Sequence, residues 1–128
     1  MIRAIAHVSF LVEDVTRSLF FYCEVLGMTL NETRPDFAFE GAWIDIGDSG
    51  QQIHLMRLPN PDKGTDRPAH GGRDRHMALL VEDVAALELT LIKHDIAYTK
   101  SQSGRAALFC RDPDGNALEF AENFMVKK

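Results

Sequence analysis

The stretch that decides the fold is "HVSFLVEDV" at residues 7–15, because nearly the same phrase, "HMALLVEDV", returns at residues 76–84. Six of the nine letters coincide at an offset of 69 residues, in a chain of 128. Self-similarity at a fixed period is typical of a repeated structural unit. Both copies alternate apolar and other residues and then reach an aspartate, the pattern of a strand leading into a capped helix. The repeat therefore predicts two related modules.

The segments after each copy complete the module. In the first half, a helical pattern from Asp14 to Gly27 precedes three short alternating runs that are separated by turn residues. The second half keeps this order after Asp83, and its last two runs are joined by the turn-forming "DPDGN". We therefore predict an α+β fold of two paired βαβββ modules. The single domain spans 1–128, with module one at 1–58, a linker at 59–74 and module two at 75–125.

The composition is that of an ordinary globular protein, with 45% hydrophobic and 26% charged residues. A net charge of −5 argues against a nucleic-acid partner, because phosphate backbones select basic surfaces. No apolar run reaches the ~20 residues that span a bilayer, and no signal peptide is recognisable. We expect a cytoplasmic protein without a membrane partner. Cys23 and Cys110 lack CxxC spacing, which favours free buried thiols.

Four potential metal ligands fall on one face of the predicted sheet. Alternate residues of a strand point to opposite faces, and the apolar set belongs under the helices, so His7 and His76 point to the other face. His54 and Glu119 lie in the last strands of their modules. By the same argument, both point to the face that His7 and His76 share. His54 follows His7 by 47 residues and Glu119 follows His76 by 43, so the positions are equivalent once a difference in loop length is allowed.

This set of side chains favours a metal site. Imidazole and carboxylate are ligands for Zn, Ni, Co, Mn and Fe(II). A lone histidine is more often a hydrogen-bonded interior or surface residue, but four ligand types at repeat-equivalent positions rarely coincide by accident. Four protein ligands leave two positions of an octahedral shell for neighbouring oxygens of a substrate. We therefore expect one divalent ion per site.

Parity also predicts the side chains that contact a substrate. They share the face of the predicted ligands and comprise Trp43, Asp45, Arg105, Phe109 and Arg111. An arginine at this face can bind a carboxylate or phosphate, although arginines at strand ends are more often solvated. The two aromatic residues are equally compatible with plain packing. A small-molecule substrate is the partner that this face predicts.

The chain resembles the vicinal oxygen chelate superfamily, which includes glyoxalase I, extradiol dioxygenases, and the fosfomycin and bleomycin resistance proteins. The resemblance covers the whole chain and depends on "HVSFLVEDVTRSLFFYCEVLGM", on "HMALLVEDV" and, most specifically, on "FCRDPDGNALEF". It implies that the modules form a cupped mixed sheet with helices on the outer face, and that members of this length are homodimers. It also implies a metal on His7, His54, His76 and Glu119, with Glu119 as the catalytic base.

The resemblance implies a metal-dependent glyoxalase-like lyase or isomerase that chelates a small oxygenated substrate through vicinal oxygens. Dimeric glyoxalase I typically has an acidic residue in place of His54 and an arginine in place of Leu11. Two alternatives stay open. An Fe(II)-dependent extradiol-type dioxygenase would use His7, His76 and Glu119. A fosfomycin- or bleomycin-resistance-like protein would either transfer a group to a drug or bind the drug. The metal-free bleomycin-binding members, however, lack these ligands.

Overall fold

The structure, a computed structural model, describes residues 1–122. It divides into two compact units, Met1–Lys63 and a second that begins at Gly64. Module one contains β1 (His7–Leu11), α1 (Val15–Leu19), β2 (Thr29–Asn31), β3 (Gly41–Asp45) and β4 (Gln52–Met56). Module two contains β5 (His76–Leu80), α2 (Val84–Lys93), β6 (Tyr98–Lys100), β7 (Ala107–Arg111) and β8 (Ala117–Ala121). Residues 123–125 of the predicted module two lie outside the described residues.

Each module forms its own four-stranded mixed sheet, in the orders β1-β4-β3-β2 and β5-β8-β7-β6. The first strand of each module pairs in parallel with the last, and the other pairs are antiparallel. The repeat extends to the pairing register, because Ser9 lies opposite His54 and Ala78 lies opposite Glu119. The predicted α+β class and the paired βαβββ modules are confirmed, and His54 and Glu119 hold equivalent positions.

Both helices begin at the aspartates that the sequence indicated. Asp14 Oδ1 accepts a hydrogen bond from the Arg17 amide at 3.1 Å, and Asp83 Oδ1 accepts one from the Ala86 amide at 3.1 Å. The first amides of a helix have no partner within it, so a side-chain acceptor at this position stabilises the helix. The caps therefore fix where each chain segment turns from its first strand into its helix.

The predicted first helix is not α-helical along its whole length. After α1, Phe20–Val25 form a π-helical turn that buries Phe21, Tyr22 and Val25. Gly27, with φ of 74°, ends the segment in a left-handed conformation that glycine adopts without strain. Apolar spacing predicts a helix here but does not distinguish one width of turn from another. Within residues 1–122, no helix has the length and apolar character needed to cross a membrane.

Alternate residues of the central strands form the core of each module. Ile44, Ile53 and Leu55 are at most 1% exposed in module one. Leu108 and Leu118 are fully buried in module two. These residues belong to the apolar set that parity assigned to the sheet face under the helices. The opposite face of each sheet is consequently left for the polar and aromatic side chains that were predicted to form the site.

Glycine is required at the start of β3. A Cβ atom on Gly41 would lie 2.3 Å from the carbonyl oxygen of Leu55 on β4. No side chain fits in that space, so any larger residue would push the two strands apart. Gly41 therefore allows β3 to approach β4 closely enough to place Trp43 opposite His54.

The predicted linker is more ordered than a loop. Gly71–Arg73 form a short 3₁₀ helix, and the next residue, Asp74, accepts hydrogen bonds from Arg67 and from Arg111 of β7. The sequence predicted this segment as a linker without a regular element. The charged residues tie its second half to module two, because two guanidinium groups converge on one carboxylate.

Candidate functional site

In module two, His76 and Glu119 form a hydrogen-bonded pair. His76 Nε2 lies 3.0 Å from Glu119 Oε1, and His76 Nδ1 lies 2.8 Å from the carbonyl oxygen of Asp74. A carbonyl oxygen only accepts, so Nδ1 carries a proton. Nε2 then faces a carboxylate oxygen, and two lone pairs meet unless a cation lies between them. That cation is either a proton shared by the pair or a metal ion.

The pair fits a divalent metal ion. Two ligand atoms at right angles on an ion, with bonds of about 2.0–2.2 Å, are about 3 Å apart, the separation of His76 Nε2 and Glu119 Oε1. A metal-binding histidine commonly donates its other N–H to a backbone carbonyl, as Nδ1 of His76 does toward Asp74. Among residues 1–122, however, no cluster of three or more such side chains is close enough to hold an ion. The structure brings the predicted ligands together as pairs, one in each module.

In module one, the predicted ligands His7 and His54 are stacked. Their ring centroids are 3.8 Å apart and their planes differ by 11°. Trp43 covers the imidazole of His54, with ring centroids 4.4 Å apart and planes 8° from parallel. This stack agrees with the prediction that these side chains share one face. Because a ring nitrogen directs its lone pair within the ring plane, one imidazole must rotate before both can bind the same ion.

A chain of hydrogen bonds fixes the orientation of His54. Asp45 Oδ1 accepts from Gln52 Nε2 at 3.1 Å, so the amide oxygen of Gln52 turns to His54 Nε2, 2.9 Å away. Nε2 of His54 is therefore the donor, and Nδ1 keeps its lone pair. Asn31 also donates to Asp45 Oδ1, at 3.0 Å. Gln52 was not predicted as a site residue, although its position two residues before His54 places it on the same face.

The electrostatic surroundings of His54 oppose its protonation. Partial burial lowers the pKa of His54 below the ordinary value of 6.5, and the neighbouring His7 and Arg34 lower it further. Burial acts because the charged imidazolium loses hydration, and positive neighbours act by repulsion. A neutral imidazole is the form that binds a metal ion. The environment of His54 therefore keeps it competent as a ligand at neutral pH.

The two predicted arginines have different partners. Arg105 donates to Glu119 Oε2 at 3.0 Å, and its Nε donates to Ser103 Oγ at 3.1 Å. Arg111 donates instead to Asp74 Oδ2 at 2.9 Å, to the Gly115 carbonyl at 2.8 Å and to the Pro68 carbonyl at 2.6 Å. Arg105 thus contacts a predicted ligand, whereas Arg111 holds the linker against module two.

Phe109 forms an aromatic wall beside His76. The two rings meet edge to face, with centroids 5.5 Å apart and planes at 84°. Phe109 also lies opposite Glu119 in the pairing of β7 with β8. His70 of the linker is half-buried, and its ring lies 4.8 Å from that of Phe109. His70 Nδ1 accepts from the Gly72 amide, so the 3₁₀ helix positions this additional ring.

Comparisons with known proteins agree on one family. A family model for the Glyoxalase/Bleomycin resistance protein/Dioxygenase superfamily matches residues 4–120. Lactoylglutathione lyase of Haemophilus influenzae is 32% identical over 133 residues, which cover 96% of this chain and 95% of that protein. Glyoxylase I 4 of Arabidopsis thaliana is 32% identical over 123 residues, which cover 92% of this chain and 70% of that protein.

Solved structures share the fold. Glyoxalase I of Leishmania major, described as trypanothione-dependent, has a TM-score of 0.72 and 29% identity, over 94% of this chain and 86% of that chain. TnmS3, an antibiotic binding protein from Streptomyces sp. CB03234, has a TM-score of 0.73 and 22% identity, over 94% of this chain and 96% of that chain. The fold is thus common to proteins whose names describe catalysis and to one whose name describes binding.

Proposed function

Because the chain belongs to the Glyoxalase/Bleomycin resistance protein/Dioxygenase superfamily, we propose that it is a metal-dependent lyase or isomerase of the glyoxalase type. Its substrate is a small molecule that binds one divalent ion, Ni, Co, Zn, Mn or Fe(II), through two neighbouring oxygens. The observation that carries this proposal is the 3.0 Å contact between His76 Nε2 and Glu119 Oε1. The likeness to lactoylglutathione lyases supports the same reaction class.

The proposed metal ligands are the repeat-equivalent side chains His7, His54, His76 and Glu119. The pair in module two is supported by its spacing and by the Asp74 carbonyl that sets the tautomer of His76. His54 retains a lone pair on Nδ1 because its other nitrogen donates to Gln52. His7 and His54 complete the set once their stacked rings part.

Glu119 is the proposed catalytic base. A bound ion supplies a Lewis acid that stabilises negative charge on the substrate oxygens. The Glu119 carboxylate removes a proton from the carbon beside the carbonyl and returns it to the neighbouring carbon, so the substrate is isomerised without net loss of a proton. Burial of Glu119, which is 4% exposed, keeps bulk water from exchanging that proton. The proposed substrate contacts are Trp43, Asp45, Arg105, Phe109 and Arg111.

We also propose that the protein acts as a homodimer in the cytoplasm. Each module offers only two of the four proposed ligands, so a complete site requires two modules, from one chain or from two. Cys23 and Cys110 are free thiols, which persist in a reducing compartment. Sedimentation of the parent protein with and without Co²⁺ measures the oligomeric state and its dependence on the ion.

Elemental analysis of protein purified without added metal tests the proposal. We expect stoichiometric divalent metal, loss of turnover on chelation, and recovery when metal is returned, with the hemithioacetal isomer of lactoylglutathione as the first substrate assayed. His76→Ala and Glu119→Gln should weaken metal binding by at least about 100-fold, because each removes a ligand. His94→Gln is the matched control, since His94 bonds to the Thr90 carbonyl at the end of α2. Ligand variants that bind metal as well as the parent would refute the proposal.

A second candidate is an Fe(II)-dependent extradiol-type dioxygenase. The observation that favours it is the confinement of His54 between Trp43 and His7, with Nε2 donating to Gln52. If His54 stays there, His7 and two ligands of module two give the two-histidine, one-carboxylate set of non-haem iron enzymes. This candidate requires oxygen uptake with a catechol and full activity in His54→Gln. Turnover under anaerobic conditions would eliminate it.

A further inference from the structure

We infer that Arg105 is an internal substitute for the metal ion: its guanidinium holds the Glu119 carboxylate in the metal-free protein, and the ion displaces it on binding. The inference deepens the proposed function and depends on the proposed metal site. Arg105 is here a positioning residue that sets how tightly the ion binds.

The carboxylate of Glu119 needs a positive partner wherever it is. Glu119 lies at the centre of β8, between the buried residues Leu118 and Phe120, and only 5% of its side chain is exposed. A carboxylate at this depth without a counter-charge strongly destabilises a fold. The structure divides its oxygens between two partners: Oε1 faces His76 Nε2 and Oε2 accepts from Arg105, each at 3.0 Å. The charge is therefore compensated without an ion.

An ion and Arg105 compete for the same carboxylate. A guanidinium has only donors, so it cannot become a ligand itself. It is also repelled by a nearby dication. Because 43% of the Arg105 side chain is exposed, release from Glu119 returns the guanidinium to water with little change in hydration. Its Nε also donates to Ser103 Oγ, and this contact does not depend on Glu119.

Arg111 differs from Arg105 because none of its contacts involves a proposed metal ligand. Arg111 is 24% exposed, and its guanidinium donates to Asp74 and to the carbonyls of Gly115 and Pro68. None of these acceptors is a proposed metal ligand. Binding of an ion at Glu119 therefore leaves the Arg111 contacts intact, whereas it competes for the carboxylate oxygen that accepts from Arg105.

The test is a calorimetric titration of chelator-treated protein with Co²⁺ alone, together with melting curves in EDTA and in saturating Co²⁺. Arg105→Gln should bind Co²⁺ about fivefold more tightly than the parent, the factor expected when a partly exposed ion pair no longer competes. In EDTA it should melt about 5 °C below the parent, and in Co²⁺ this difference should disappear. Arg105→Lys keeps the charge and should melt near the parent in EDTA. Arg73→Gln, which replaces an exposed arginine of the linker, should change neither the Co²⁺ affinity nor the melting temperature.

The outcomes separate this inference from the proposed function. A parent protein that binds no ion overturns both. If the parent binds Co²⁺ and Arg105→Gln binds it equally or more weakly, Arg105 does not compete with the ion and only the inference fails. A loss of melting temperature that is the same in EDTA and in Co²⁺ identifies a purely structural arginine, and it also overturns the inference.

Discussion

The indole of Trp43 lies flat against the imidazole of His54, with ring planes 8° from parallel. Trp43 is the only tryptophan of the chain, so its fluorescence reports on this one histidine. Partial burial, His7 and Arg34 lower the pKa of His54 below 6.5. A protonated imidazole quenches a stacked indole, so we expect emission to fall with decreasing pH at a midpoint below 6.5. His54→Gln should abolish the transition, and His94→Gln should retain it.

The same shift makes stability depend on pH. The unfolded chain binds a proton at His54 more readily than the folded chain, so the free energy of unfolding falls as the pH drops below 6.5. His54→Gln should show a smaller decrease over this range in urea titrations. A fluorescence midpoint above 6.5 in the parent would contradict the environment described for His54.

The carboxylate of Asp74 should stabilise module two through Arg67 and Arg111. Asp74→Asn should lower the free energy of unfolding by about 2–3 kcal/mol, less than for a fully buried pair because both arginines are partly exposed. The hydrogen bonds from Arg67, and then from Arg111, hold the pKa of Asp74 well below its ordinary value of 3.8. The contribution is present above pH 3.8 and is lost progressively as the pH falls through the lowered pKa of the folded state. In urea titrations the difference between parent and variant should therefore begin to shrink below about pH 5 and should still be partly present at about pH 3.

Asp66→Asn is the control for this prediction. Asp66 is an exposed residue of the same linker, so its replacement makes the same change in charge. It should alter the free energy of unfolding by less than about 0.5 kcal/mol. A parent and an Asp74→Asn protein that differ equally at all pH values would show that the carboxylate charge is not what holds the linker.

The two aspartates that cap the helices should contribute equally to the free energy of unfolding. Asp14→Ala and Asp83→Ala each remove the acceptor of one helix amide at 3.1 Å. Each should lower the free energy of unfolding by about 1 kcal/mol, and the asparagine variants by only a few tenths, because an amide oxygen still accepts. Urea titrations of the four variants measure this. An alanine variant as stable as its asparagine counterpart would exclude capping as the role of that aspartate.

The two free cysteines should differ in reactivity. Cys110 is buried, and burial, followed by the charge of Asp112, raises its pKa to about 12. Cys23 is half-buried, which corrects the prediction that both thiols are buried. With a thiol reagent near pH 8, Cys23 should react first and Cys110 only as fast as the protein unfolds. Cys23→Ser should remove the fast phase, and a fast phase that persists would contradict this assignment.

The repeat made the fold and the site face predictable, because both depend on local periodicity. Alternation in the first and last strands placed His7 and His54 on one face, and their stacked rings agree with that assignment. The helix caps followed from single residues before apolar periods. Local patterns specify such features since each depends on neighbours within one turn or one strand.

Contacts that depend on side-chain direction were not predictable. The amide of Gln52 is oriented by Asp45 across the β3–β4 pairing, which requires the register to be known. Parity predicted Arg105 on the face of the ligands, but its hydrogen bond to Glu119 comes from the loop before β7, whose path no periodicity describes. The hydrogen bond from Arg67 to Asp74 depends on the path of a segment that the sequence predicted only as a linker. These contacts are the ones that orient the predicted ligands.

The matching registers of β4 and β8 have a consequence for redesign. Because His54 and Glu119 occupy the same step of their sheets, a carboxylate introduced as His54→Glu would give module one the donor types that module two already has. The chain would then carry two His/Glu half-sites in place of an unequal pair. One substitution thus separates the present asymmetric pair of modules from a ligand-symmetric one.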